Sequence, residues 1–392
     1  MAYPSSPIYK VPWNSKEWEC AILERNDIAR LGGDGDWVLY RPSRLIVRAS
    51  AAAADDRVRD ALLRNKVERC ESEVAEVAKA LDMEVYTVRD DRLVELVREI
   101  RSYVPSSASL DHVLLPGPNV IHGDDLPKPT DDPGDIPGAS SQGEGKTVLV
   151  LDTGFDPSKR RTIAVESRAE DDEIVDEYPF DGMRDPAAGH GTHIAGIIAR
   201  TAPGAEIVSR RVLTKGVGQA SDLEVAAALL DANADVINCS FGSTALCDAP
   251  PIVLEEAIAR LSPGTVLVAA AGNAGHSRVN WPAAFNGVVA VGAVGIPEDC
   301  EDWQQTDFSN HGLWVDMCAP GVDIASTFLD LPKEGFAGYA TWTGTSMAAP
   351  AVSGAIAALA SRPGMDVAQA VAQLLTGRRI GHIGAFVDPQ NF

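Results

Sequence analysis

Four short segments hold side chains able to do chemistry together. Asp152 closes the apolar run Val148-Leu149-Val150-Leu151 and is followed by Thr153-Gly154. A carboxylate at a strand's carboxyl end is placed to orient a histidine, and equally to cap a turn. Gly189-His190-Gly191-Thr192-His193-Ile194-Ala195-Gly196 sets two histidines at the start of a small-residue helix. Zinc binding by such a pair calls for HExxH or further ligands at metal spacing, and no such pattern follows. The glycines around His190 let a substrate and a second chain segment approach its imidazole, as a general base requires. His193 reads as a packed or hydrogen-bonded helix residue. Gly344-Thr345-Ser346-Met347-Ala348-Ala349-Pro350 puts a serine in the first turn of an apolar helix. There the unpaired N–H groups and the helix dipole favour developing negative charge, although such a serine alone reads as a plain N-cap. Ala269-Ala270-Ala271-Gly272-Asn273-Ala274-Gly275 ends another apolar run with an asparagine. That asparagine is either a turn residue or a side-chain donor to an oxyanion.

The elements that must position these residues are legible from residue 147 onward. Short apolar runs at 147–151, 206–212, 235–239, 266–271, 288–291 and 315–318 alternate with helical stretches at 190–199, 222–233, 253–261 and 346–361. Continuous apolar strands alternating with helices imply a parallel sheet covered on both faces. Ligands of such sheets bind beyond the carboxyl ends of the strands, which is where Asp152 and Asn273 fall.

The first 115 residues differ in texture. A strand is expected at 44–49, apolar residues at helical spacing through 56–81, a strand at 84–88, a helix at 92–100 and a strand at 112–115. These make a small α+β unit. Residues 116–146 form a linker with Pro116, Pro118, Pro127, Pro129, Pro133 and Pro137 and almost no apolar periodicity.

The order Asp152, His190, Asn273, Ser346, with strand-end placement throughout, resembles the subtilisin-like serine protease (subtilase) family over about residues 146–390. The resemblance implies a doubly wound, mostly parallel α/β domain at 147–392. It also implies a ferredoxin-like α+β propeptide domain at 1–115 that assists folding and blocks the cleft. It makes Ser346 the nucleophile, His190 the general base and then acid, and Asp152 the residue that fixes the imidazole tautomer. Asn273 and the Ser346 N–H become the oxyanion hole. Substrate would lie between Gly216-Val217-Gly218 and Ser240-Phe241-Gly242, with Ala270 and Gly272 at a small, uncharged specificity pocket. Trp281-Pro282 falls where the family has a cis proline. Self-cleavage is expected between residues 114 and 143, against which the prolines there argue.

The chain departs from the family between Gly196 and Ile207, where the loop that often holds calcium is missing. No cofactor is needed for the chemistry, and calcium remains open through the acidic stretch 168–181, which equally reads as solvated charge. The net charge of −22 disfavours nucleic acid and anionic membranes as partners, leaving a protein or peptide substrate and the chain's own N-terminal unit. The apolar stretch 347–360 is interrupted by Pro350, Ser353 and Gly354 and falls short of the ~20 residues a membrane span needs. No metal is assigned to the six scattered cysteines, which fit a reducing cytoplasm, with a Cys300–Cys318 pair left open. The first ten residues do not read as a secretory signal. Two other functions share these features: a binding protein whose protease domain stays occluded by residues 1–145, and a peptide ligase or transpeptidase using the same triad.

Overall fold

The computed structural model describes residues 25–32, 37–116, 126–134, 141–159, 165–167, 173–177, 184–214 and 217–392. In the first stretch the chain runs β1 (Ala29–Leu31), β2 (Val38–Arg48), α1 (Ala49–Ala54), α2 (Asp56–Arg64), β3 (Glu68–Arg69), α3 (Glu73–Ala80), β4 (Met83–Thr87), α4 (Asp90–Tyr103) and β5 (Ala108–Leu114). The strands pair antiparallel in the order β5-β2-β4-β3, with β1 beside β2.

Two sequence expectations need correction here. The strand expected from residue 44 begins at Val38, because Pro42 and Ser43 (φ +62°) are taken up where the β2–β5 register shifts between Tyr40 and Leu45. A bulge of this kind lets a strand continue past residues that would otherwise end it. The helical pattern over 56–81 breaks into α2 and α3. The Asn65 side chain closes α2 by donating to the Ala61 carbonyl at 2.9 Å, and Lys66 follows at φ +52°. The two helices then face different cores. Val58, Ala61 and Leu62 pack with Leu93, Leu96 and Ile100 inside the unit, whereas Ala78 and Leu81 pack against the larger sheet's outer helices.

After β6 (Lys128–Pro129) the second part comprises β7 (Thr147–Asp152), β8 (Val165–Ser167), α5 (His190–Thr201), β9 (Glu206–Arg211), β10 (Ala220–Ser221), α6 (Asp222–Leu230), β11 (Val236–Cys239), α7 (Ile252–Ala259), β12 (Val266–Ala270), β13 (Val288–Gly295), β14 (Gln304–Gln305), β15 (Met317–Pro320), β16 (Ile324–Leu331), β17 (Phe336–Trp342), α8 (Thr345–Ala360), α9 (Val367–Leu375) and β18 (Ala385–Phe386). The sheet order is β18-β15-β13-β12-β11-β7-β9-β8, parallel along this path, with β14 added antiparallel to β13. Alternate residues of each strand feed opposite faces. Val148 and Val150 pack under α5 and α8, while Leu149 and Leu151 pack under α6 and α7. The chain leaves β7 for β9 on one side and returns for β11 on the other. The end of β7 is therefore a topological switch point, the place where open α/β sheets form their crevice.

Every residue of α8 is buried. Pro350 has no N–H to give the Ser346 carbonyl four residues back, and the Ser240 hydroxyl supplies that bond from outside the helix at 2.9 Å. The hairpin β16–β17, which has no counterpart in the expected runs, packs on α5, and β6 adds to its edge. Of the linker, residues 116, 126–134 and 141–146 are described, with β6 among them. Cys70, Cys239, Cys247, Cys300 and Cys318 are free thiols, Cys239 and Cys318 buried, so the Cys300–Cys318 pairing is not made. Cys20 lies outside the described residues. Among the described residues no helix is long and apolar enough to cross a membrane.

Candidate active site

Asp152 ends β7 and His190 opens α5, and the fold presses these two ends together. A Cβ on Gly191 would stand 2.2 Å from the Gly154 carbonyl oxygen, so only glycine lets the first turn of the helix lie on the Asp152-Thr153-Gly154 turn. The close approach leaves His190 Nδ1 at 2.7 Å from Asp152 Oδ1, which also accepts the Thr153 N–H at 2.8 Å. Asp152 is 0% and His190 3% exposed, so water does not screen the pair. The Nδ1–H donated to a carboxylate leaves Nε2 as the basic nitrogen. Trp342 stands edge-on to the His190 ring, centroids 5.1 Å apart.

Ser346 lies in the first turn of α8, four residues after Trp342. Its hydroxyl donates to the Ser240 carbonyl at 2.9 Å, and no hydrogen bond joins it to His190. Bonds between nucleophile and base are often loose without substrate. A buried chain steadies this corner: Ser353 Oγ donates to Asn238 Oδ1 (3.0 Å), Asn238 Nδ2 to Ser240 Oγ (2.9 Å), and Ser240 Oγ to the Ser346 carbonyl.

Asn273 follows β12. Its Oδ1 accepts both the Thr345 N–H (2.9 Å) and the Thr345 hydroxyl (2.8 Å). That double acceptance fixes the amide's orientation, leaving Nδ2 free to donate near Gly344, whose Cβ would stand 3.1 Å from it. The Ser346 N–H, in the helix's first turn, has no carbonyl partner within the helix. Two donors thus stand beside one hydroxyl.

The expected cleft walls are occupied by this chain's own residues. Leu115 and Gly242 exchange N–H···O bonds, each 3.0 Å, and β5 pairs antiparallel with β10. A Cβ on Gly218 would meet Pro116 at 3.0 Å. Val217 packs with Leu115 and Val113. Of the residues expected to bind substrate, Val217, Gly218, Ser240, Phe241, Gly242, Ala270 and Gly272 are described, and Gly216 lies outside the described residues. Phe241 is a core side chain, and that position offers backbone alone. Trp281–Pro282 is cis.

Sequence reasoning missed Asn280. Its Nδ2 donates to the Ala270 carbonyl at 3.3 Å and sits where a Cβ on Gly242 (2.2 Å) or Gly272 (3.3 Å) would reach. It is therefore a buried side chain wedged between the backbones of Gly242 and Gly272. Its signal in the sequence was its place just before Trp281-Pro282. His193 is, as expected, a packing residue: buried, donating Nε2–H to the Ala340 carbonyl at 3.2 Å, and pushed down by burial to about 3.

Among the described residues, no group of three His, Cys, Asp or Glu side chains is placed to hold a metal ion. α5 ends at Thr201 and β9 starts at Glu206, so the connection is as short as the sequence implied. The acidic stretch 168–181 is described only at 173–177, where Glu173 packs inward and Glu177 pairs with Arg211 at 2.6 Å.

Residues 143–378 match the family model described as the subtilase family. The chain is 38% identical over 260 residues to the thermophilic serine proteinase of Bacillus sp. (strain AK1), covering 62% of this chain and 59% of that protein. It thus spans less than two thirds of that relative. It is 34% identical over 249 residues to the major intracellular serine protease of Bacillus subtilis (strain 168), covering 56% of this chain and 70% of that one. In fold it is similar to fervidolysin from Fervidobacterium pennivorans, a keratinolytic enzyme related to subtilisin, with a TM-score of 0.60 at 21% identity. That likeness covers 92% of this chain and 62% of the other.

Proposed function

The chain belongs to the subtilase family, and from that premise we propose that it is a serine endopeptidase restrained by its own N-terminal unit. The observation that carries the reading is the buried Asp152–His190 pair at 2.7 Å, set beside a serine at a helix start. In this reading Ser346 Oγ turns from the Ser240 carbonyl, gives its proton to His190 Nε2 and attacks the scissile carbonyl. The oxyanion forms toward Asn273 Nδ2 and the Ser346 N–H. His190 then passes the proton to the leaving amine, and water repeats the sequence on the acyl-enzyme. Asp152 holds the tautomer throughout and stabilises the imidazolium. The reading assigns no cofactor to the chemistry. The residue before the scissile bond is neutral, apolar or aromatic, because the pocket is edged by Ala270 and Gly272, with the uncharged Asn280 against Gly272.

Residues 1–115 serve as the inhibitor, 116–146 as the linker and 147–392 as the catalytic domain. The inhibitory contact is strand addition: Leu115 takes the backbone bonds on Gly242 that a substrate strand would take. Similarity to an intracellular relative and the free thiols support a cytoplasmic site of action.

A fluorophosphonate probe tests this directly. Wild-type protein is expected to label on a peptide containing Ser346 and to hydrolyse an unstructured polypeptide, while Ser346→Ala does neither. Residual hydrolysis by that variant would overturn the triad.

A further inference from the structure

We propose that Glu173 is a positioning residue for the Asp152–His190 pair, tying the strand end that carries one to the helix turn that carries the other. The proposal rests on the endopeptidase reading above. Glu173 Oε2 accepts two hydroxyls, Thr153 Oγ1 at 3.2 Å and Thr192 Oγ1 at 3.4 Å. Thr153 directly follows Asp152, and Thr192 lies two residues after His190. Each hydroxyl in turn accepts a backbone N–H, Thr153 Oγ1 from Gly191 (2.9 Å) and Thr192 Oγ1 from Asp156 (2.9 Å). One carboxyl oxygen therefore closes a ring through both elements. The ring reaches the reacting atoms through the Thr153 N–H on Asp152 Oδ1, the oxygen that holds His190.

Glu173 is itself anchored. Its N–H donates to the Phe155 carbonyl at 3.0 Å, and the Asp185 N–H donates to the Val175 carbonyl at 2.7 Å. The Oε1 atom is buried without a hydrogen bond. Burial lifts the carboxyl to about 8, with Asp152 adding to the rise and Arg211 opposing it. A glutamine keeps an oxygen acceptor at this position, so its amide oxygen should serve in place of the carboxyl. An imidazole let go by about an ångström loses its aim at both the nucleophile and the leaving group, and misplacement on that scale costs up to about 10²-fold.

The test compares Glu173→Ala and Glu173→Gln in the full chain, with turnover expressed per fluorophosphonate-titrated site. Glu173→Ala is expected to lower kcat roughly 10- to 100-fold, leave KM within about twofold and slow the acylation of Ser346 by the same factor as kcat. Glu173→Gln is expected to recover kcat to within about threefold of wild type. A role in stability alone would lower the Tm of Glu173→Ala and leave turnover per site unchanged, and that result overturns the proposal. So does a glutamine variant as poor as the alanine one. Should Glu173→Ala not fold, Thr192→Val removes the helix side of the tie and must show the same split between kcat and KM. Wild-type protein that neither labels nor cleaves overturns the endopeptidase reading and this proposal together. Labelled wild type beside an unimpaired Glu173→Ala overturns this proposal alone.

Discussion

Among the described residues are two buried imidazole–carboxylate pairs built alike. His190 Nδ1 meets Asp152 Oδ1 at 2.7 Å, and His112 Nδ1 meets Asp222 Oδ2 at 2.7 Å. They differ at the far ring nitrogen. His112 Nε2 accepts the Leu246 N–H at 3.4 Å, and the His112 N–H itself binds Asp222 at 2.9 Å. His112 is wholly buried where β5 meets the start of α6, so its ring is used up in joining the two parts of the chain. The far nitrogen of His190 makes no such hydrogen bond, and in the endopeptidase reading it is left for the Ser346 hydroxyl. A histidine–aspartate pair becomes a base only when its second nitrogen is left for the substrate. Otherwise it is a clasp.

Substitutions should therefore act with opposite sign at the two pairs. Asp152→Asn is expected to reduce kcat by about 10⁴-fold through the wrong tautomer, with little effect on folding. Steady-state kinetics on a peptide ester would check it, and a loss under tenfold would mean that Asp152 does not govern His190. Asn273→Ala should lower kcat by about 10²–10³-fold with KM nearly unchanged. A change carried mainly in KM would move Asn273 from the oxyanion to substrate binding.

At the clasp, His112→Ala leaves Asp222 buried with less hydrogen bonding, at a cost of about 1–3 kcal/mol. Docking of the N-terminal unit should weaken accordingly, and the full-length protein's peptidase activity should rise roughly tenfold. Unchanged activity would show that this contact does not restrain the enzyme. The residues after Leu115 are Pro116, Gly117 and Pro118, so the next three peptide bonds each have proline on one side. Proline restricts its neighbours and removes a backbone donor. Replacing both with alanine should speed self-cleavage near the cleft several-fold, as intact-mass measurements over time would record. Equal rates would remove proline from the explanation.

The smallest effect concerns Asp111, next to the clasp. It accepts the Leu223 N–H at 3.2 Å and pairs with Arg44 at 2.6 Å. Burial lifts its carboxyl to about 6 from an ordinary 3.8, with Arg44 opposing and Asp222 reinforcing the rise. The docked state then binds more protons than an undocked, solvated one between those values. This group's contribution to docking is greatest below about pH 4, declines through the window and is lost above about pH 6. Asp111→Asn should flatten that part of the inhibition-versus-pH profile, and an unaltered slope would place the dependence elsewhere.

The parallel sheet, its helices and the four chemical segments were legible because each is a local signal. Val148 to Leu151 is apolar without a break, and residues 346–361 can hardly be anything but a buried helix. Local pattern misled where one period served two cores, as in α2 and α3. It also missed strands such as β16 and β17, in which buried and partly buried residues are mixed and which depend on partners for their pairing. The sequence by itself determined the chemical types and their order: Asp152, His190, Asn273, Ser346. It singled out His190 on its motif but gave no sign of the buried bonds that His112, Asn280 and Glu173 make. Tertiary structure alone decided those, because whether a ring nitrogen is bonded, an amide is buried or a carboxyl joins two elements depends on which distant backbone reaches it. Spacing along the chain does not encode that distance.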